Sequence, residues 1–133
     1  MTFFIPELSL VAEDQGEIVG HILLTQLVIR DGEEDHESLA LAPVSVLPLH
    51  QKRGVGSALI RKSLEIARER GFPSVIVLGH DTYYPRFGFK PAHVWGIKAP
   101  FDVSKEAFMA LELVDGSLDH VKGTVVYPKV FYE

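Results

Sequence analysis

The chain is predicted to be an α/β domain with a mixed sheet, on three observations. Residues 18–30 form a long β-branched and apolar run beyond a glycine-containing turn, the pattern of a hairpin. From Val55 the apolar positions recur at helical spacing with charges between them. Residues 74–79, "SVIVLG", are almost wholly apolar, the mark of a central strand covered on both faces. With 133 residues, one domain over 1–133 is expected, large enough to bury a substantial core.

The first strand is signalled by Leu8, Leu10 and Ala12 alternating with Ser9, Val11 and Glu13. Residues 13–17 make a turn in which Gly16 supplies positive φ, and residues 18–30 return as the second strand. Residues 31–38, "DGEEDHES", hold five acidic groups and no apolar residue, so a solvated loop is expected. A strand follows over 39–47, interrupted by Pro43 and stopped by Pro48. The inner proline points to an edge, a bulge or a lapse in pairing.

The helix that starts at Val55 places Ala58, Leu59, Ile60, Leu64, Ile66 and Ala67 on an apolar face, with Gly71 as its left-handed cap and Pro73 beyond. Strand, helix and strand in this order make a crossover unit joining parallel strands. Residues 80–92 read as a short helix or turn running into a strand. Residues 106–113 and 123–131 are strand candidates separated by the turn "VDGSLD".

Composition narrows the function. Cysteine is absent, which removes disulfides, thiolate metal sites and a thiol nucleophile. A net charge of −5 with no basic run argues against nucleic acid as a partner. No apolar stretch reaches the roughly 18 residues needed to span a bilayer, and the first ten residues lack the basic start and cleavage site of a signal peptide. A cytoplasmic protein is expected. His21, His36, His93 and His120 are scattered without ligand spacing, and the acidic stretch lacks the alternating oxygen ligands of a calcium loop, so no metal is expected.

The chemistry concentrates in "LPLHQKRGVGSALI", residues 47–60. Gly54 and Gly56 precede a helix start, where unpaired N–H groups and the positive dipole end attract anions, and Lys52 and Arg53 add charge. A dinucleotide fingerprint would need a third glycine where Leu59 stands, and a nucleotide-hydrolase phosphate loop would need Gly-Lys-Ser/Thr. Gln51-x-x-Gly54-x-Gly56 remains, with a plain tight turn as the competing explanation. The pattern resembles the acetyl-CoA signature of the GNAT superfamily of N-acetyltransferases. A second motif agrees: Tyr84, followed by Phe87, Gly88 and Phe89, falls where that family carries a tyrosine a few residues before a Gly-Phe pair. The resemblance covers roughly residues 8–131 and is similar to a YhbS-like branch.

What the resemblance implies can be written residue by residue. The fold would be a mostly antiparallel sheet whose central parallel pair splays around acetyl-CoA. The pyrophosphate would lie on the amides of Arg53, Gly54, Val55, Gly56 and Ser57, with Gln51 and Lys52 beside it. The pantetheine would run along Val46 and Leu47, where a free N–H polarises the thioester carbonyl. Tyr84 would be the general acid for the departing thiolate, and Tyr83 a core residue. His80 is the leading base, although the branch often carries an aspartate there; Asp81, Glu37 and His50 are weaker options. Trp95 and Phe101 are expected to pack rather than line an acceptor pocket.

The family usually places a strand and two helices before the hairpin, and that region is expected to be missing here. An apolar face left open suggests a homodimer. The expected function is direct acetyl transfer to a small-molecule or protein amine. The alternatives are an acyl-CoA-binding or regulatory domain without catalysis, and an interaction module that keeps only the fold.

Overall fold

The computed structural model describes residues 2–4, 8–48 and 54–128, with the backbone alone at 2–4 and 42–44. Its strands are β1 (Thr2–Phe4), β2 (Ser9–Asp14), β3 (Glu17–Asp31), β4 (Glu34–Val46), β5 (Ser74–Leu78), β6 (Lys90–Pro91), β7 (Ile97–Lys98), β8 (Phe108–Glu112) and β9 (Gly123–Val126). The one α-helix among the described residues, α1 (Val55–Glu69), lies between β4 and β5. The strands form one sheet in the order β1-β2-β3-β4-β5-β8-β6, with β9 pairing to both β3 and β7. Only β4–β5 and β7–β9 run parallel among the described pairs, so the sheet is mixed and mostly antiparallel, as expected.

The expected first hairpin is present. Gln15 and Gly16 both take positive φ between β2 and β3, the twist that a two-residue turn between antiparallel strands favours. The three-residue strand β1, which the sequence did not signal, pairs with β2.

The acidic stretch 31–38 is not a loop. β3 and β4 pair all the way to Asp31↔Glu34, leaving a two-residue turn with Gly32 at φ 62. Glycine at the first position of a two-residue turn suits the II′ geometry, and cross-strand pairing outweighs the polarity of the segment. The Arg30 guanidinium donates to both carboxylate oxygens of Asp35, at 2.8 and 3.1 Å, across that ladder.

Period-two alternation divides the core. Leu39, Leu41, Val75, Val77, Met109 and Leu111 share one face with Leu59, Ile60 and Leu64 of α1. Ala40, Ile76, Phe108 and Ala110 face the other side, with Leu27, Ile97 and Val125. β5 is therefore covered on both faces, and its first four residues are buried. Gly20 lets α1 sit close to β3: a Cβ there would stand 2.8 Å from Leu59 Cδ1 and 3.1 Å from Val55 Cγ1. The helix ends as its sequence predicts. Gly71, at φ 85, donates to the Arg68 carbonyl, and Phe72 N–H reaches the Ala67 carbonyl, closing the last turn.

β9 ends at Val126, short of the expected 131, and residues 129–133 lie outside the described residues.

Candidate active site

The parallel pair at the centre parts early. Only Leu39↔Val75 and Ala40↔Ile76 are paired, although β4 runs on to Val46 and β5 to Leu78. Across β4, Leu24 pairs with Leu41 and Ile22 with Val44, so two residues, Ala42 and Pro43, oppose the single Leu23. That is a bulge at the proline, and it bends β4 away from β5. Of the readings Pro43 allowed, the bulge and the lapse in pairing both occur.

The far end of β4 meets the start of α1. Gly54 takes φ 76, and its carbonyl accepts the first helical bond from Ala58 N–H at 2.9 Å. The amides of Val55, Gly56 and Ser57 thus precede the intrahelical ladder, and no side chain caps them among the described residues. A Cβ on Gly56 would stand 3.7 Å from Val46 Cγ2 and 3.8 Å from the Tyr83 hydroxyl, so the bare position faces the space between the end of β4 and Tyr83. Gln51, Lys52, Arg53 and His50 lie outside the described residues.

Of the two amides expected to offer a free N–H, Val46 or Leu47, that of Leu47 is bonded: it donates to the Val19 carbonyl at 2.9 Å, extending the β3–β4 ladder by one step. That bond flanks the pair Gly20↔Val46, which makes Val46 the non-hydrogen-bonded position whose main-chain groups point away from β3, toward the parting. Val46 itself has an interaction partner.

Beyond β5 the His80 carbonyl accepts the N–H groups of both Tyr83 and Tyr84, at 3.1 and 3.3 Å, folding the segment into a turn followed by a 3-10 turn at Tyr84–Phe87. Tyr84 is half-buried, edge-on to Tyr83 and Phe89. Its ring covers Gly79 so closely that any Cβ there would overlap it. Burial, and secondarily Tyr83, pushes the Tyr84 hydroxyl above its ordinary value of 10.0.

Tyr83 is more than the core residue the sequence suggested. Its ring packs against the helix-side core, but its hydroxyl lies 3.0 Å from Ser57 Oγ, and the Arg86 guanidinium sits over its ring at 4.5 Å. The signal for this role was faint: a second tyrosine beside the motif tyrosine.

The base candidates are less well placed. His80 and Asp81 are exposed, and no hydrogen bond joins the His80 ring to Tyr84 among the described residues. Glu37 stands nine residues before Val46 on β4, about 30 Å away along an extended strand, and so is remote from the helix start. Phe101, expected to pack, is 42% exposed and stacked on Tyr127 at 6.1 Å. Trp95 packs against the core on the face away from α1.

A bulged strand parting from its parallel neighbour, with helix amides that no described side chain caps at its end and a tyrosine turn alongside, is the arrangement that the resemblance to acyl-CoA transferases implies. The family profile described as Acetyltransferase (GNAT) family matches residues 3–89, and this chain belongs to that family. It is 47% identical over 103 residues to YjhQ of Escherichia coli K12, an uncharacterized N-acetyltransferase, covering 76% of this chain and 56% of that protein. The chain thus spans little more than half of that relative. Among solved structures it is similar to YhbS of Escherichia coli in complex with CoA, at 28% identity and TM-score 0.87, covering 94% of this chain and 69% of the other. It is also similar to a GNAT family acetyltransferase from Brucella melitensis in complex with acetyl-CoA, at 36% identity and TM-score 0.72, covering 92% and 67%. The fold is the GNAT fold.

Proposed function

We propose that this chain is an acetyl-CoA-dependent N-acetyltransferase domain that moves the acetyl group directly to an amine. The observation that carries this reading is the run of amides at Val55, Gly56 and Ser57 that no described side chain caps, set at the open end of the parting between β4 and β5. Solved relatives bound to CoA and acetyl-CoA support it.

The co-substrate supplies an activated acetyl thioester. Its diphosphate is held by the amides of residues 53–57, with Gln51, Lys52 and Arg53 lending hydrogen bonds and charge. Val46 and Leu47 lie along its pantetheine arm. The amine nitrogen bonds to the acetyl carbon, the carbon–sulfur bond breaks, and Tyr84 gives its hydroxyl proton to the sulfur. With a pKa above 10, Tyr84 stays protonated at neutral pH, while a thiol near 8.5 accepts readily. His80 takes the proton the amine gives up, reaching it through water, since its ring is exposed.

Among the described residues no helix is long and apolar enough to cross a membrane, and a cytoplasmic location belongs to this reading. So does a homodimer, for which Ile18, 62% exposed on β3, offers apolar surface; light scattering at micromolar concentration that gives a monomeric mass would remove it.

Acetyl-CoA at a hundred times its dissociation constant should stabilise the fold by about 2.7 kcal/mol. CoA release with an amine panel, wild type against Tyr84→Phe, then tests catalysis. Binding without release with any amine would leave an acyl-CoA-binding or regulatory domain, and no thermal shift would leave an interaction module.

A further inference from the structure

On the face of the sheet away from α1, a cavity of about 310 Å³ is lined by apolar and cationic side chains with no carboxylate among them. Its apolar wall includes Ile97, Phe101 and Phe108; its polar members are His93, Lys98 and Lys105. Phe101 is held in place by stacking on Tyr127, with ring planes 17° apart, and by an edge contact with Phe108 at 6.4 Å. A rigid aromatic wall suits an apolar ligand body at small entropic cost. Three cationic or titratable groups in one lining are unexpected in a chain of net charge −5. The neighbouring Glu106 does not line the cavity; its carboxylate accepts a hydrogen bond from the Ser104 hydroxyl at 2.9 Å and stands close enough to His93 and Lys105 that their charge helps to lower its pKa, which leaves Lys98 as the cation with no such neighbour among the lining residues.

The cavity lies next to the parting. Phe108 pairs with Leu78, the last residue of β5, and the Ala107 carbonyl accepts from Gly79 N–H at 3.0 Å, directly beneath the Tyr84 ring. Phe108 and Ile97 also share their apolar cluster with Ala40 and Ile76, the last pair before β4 and β5 separate. A thioester reaching through the parting from the α1 side would emerge beside this cavity.

We propose that the cavity is the acceptor site and that it selects amines bearing a carboxylate and an apolar body, as hydrophobic α-amino acids do. The inference rests on the transferase reading above. Lys98 and Lys105 hold the carboxylate, and Phe101 and Phe108 the apolar group. The amine is left free to meet the thioester at the parting. A polycationic amine finds like charge at the entrance and is disfavoured. The bonds made and broken are those of the transfer already described.

The test is CoA release from acetyl-CoA with L-phenylalanine, phenethylamine and spermidine as acceptors. L-phenylalanine should exceed phenethylamine in kcat/KM by about tenfold or more, since one charge-assisted hydrogen bond differs between them. Spermidine should be poorest. Lys98→Gln and Lys105→Gln should each narrow the phenylalanine-to-phenethylamine ratio several-fold, and Phe101→Ala should raise KM for both. Calorimetry should find acetyl-CoA affinity unchanged in all three variants. Equal or better use of phenethylamine or spermidine, no acetylation of any of the three, or a ratio that both lysine variants leave intact would overturn the proposal while acetyl-CoA still binds. Failure of wild-type protein to bind acetyl-CoA would instead bring down the transferase reading, and this inference with it.

Discussion

The Tyr83 hydroxyl and Ser57 Oγ stand 3.0 Å apart, tying the turn that carries Tyr84 to the first turn of α1. Two segments 26 residues apart in sequence thereby share one hydrogen bond at the end of the parting strands. The helix start and the tyrosine turn are joined by this bond.

Tyr83→Phe removes that bond without changing ring packing. Its loss should lower stability by about 0.5–1.5 kcal/mol in urea unfolding. Acetyl-CoA affinity should fall several-fold by calorimetry, because Ser57 would no longer be oriented. Unchanged affinity would mean that the bond serves only the fold.

Tyr84→Phe should lower kcat by about a hundredfold, the lower range for a lost general acid. The pH dependence follows from burial, which raises the pKa of the folded state above that of the unfolded chain. The neutral phenol is thus favoured by folding: the contribution is complete below pH 10 and is lost as pH rises through the raised value. Wild-type stability should therefore decline more steeply than that of Tyr84→Phe as pH rises above about 10. Parallel curves in alkaline unfolding would contradict this.

Gly56→Leu fills the space between Val46 and Tyr83 that the cofactor diphosphate would need, yet its Cβ meets neighbours only at 3.7 Å and beyond. The fold should survive, as read by circular dichroism, while the thermal shift with acetyl-CoA disappears. Gly79→Ala behaves differently. Its methyl would overlap the Tyr84 ring, so about 1–3 kcal/mol of stability and most of the activity should be lost together.

At the hairpin tip, the hydrogen bond from Arg30 holds the Asp35 carboxyl below the usual carboxylate range. A depressed pKa contributes stability above the unfolded value near 3.8, and this is lost as pH falls through the folded value. Both side chains are exposed, so Asp35→Asn should change global stability little at neutral pH. Amide exchange at residues 30–35, followed by NMR, should speed up in Asp35→Asn at neutral pH, and the difference between the two proteins should shrink as pH falls through the lowered pKa of Asp35.

Elements whose cause is local were legible. The helix, its Gly71 cap and the buried strand after it depend on side-chain periodicity and on one glycine's φ, and the structure has them at the expected residues. Residues 31–38 misled because their charge outweighed a correct signal, the glycine at position 32, and only the partner strand reveals the ladder. Pro43 announced irregular pairing; that it is a bulge opposite Leu23 depends on β3.

The candidate site divides in the same way. The glycine motif and the tyrosine four residues before Gly88 are written in consecutive residues, so the family and its cofactor chemistry could be read directly from the chain. The amide of Leu47, the hydroxyl of Tyr83 and the aromatic wall at Phe101 could not, because each takes its partner from a distant segment: Val19, Ser57 and Tyr127. Periodicity and backbone preference act over a few residues, whereas hydrogen-bond partners and cavity walls exist only once the sheet has brought remote strands within a few ångströms of each other.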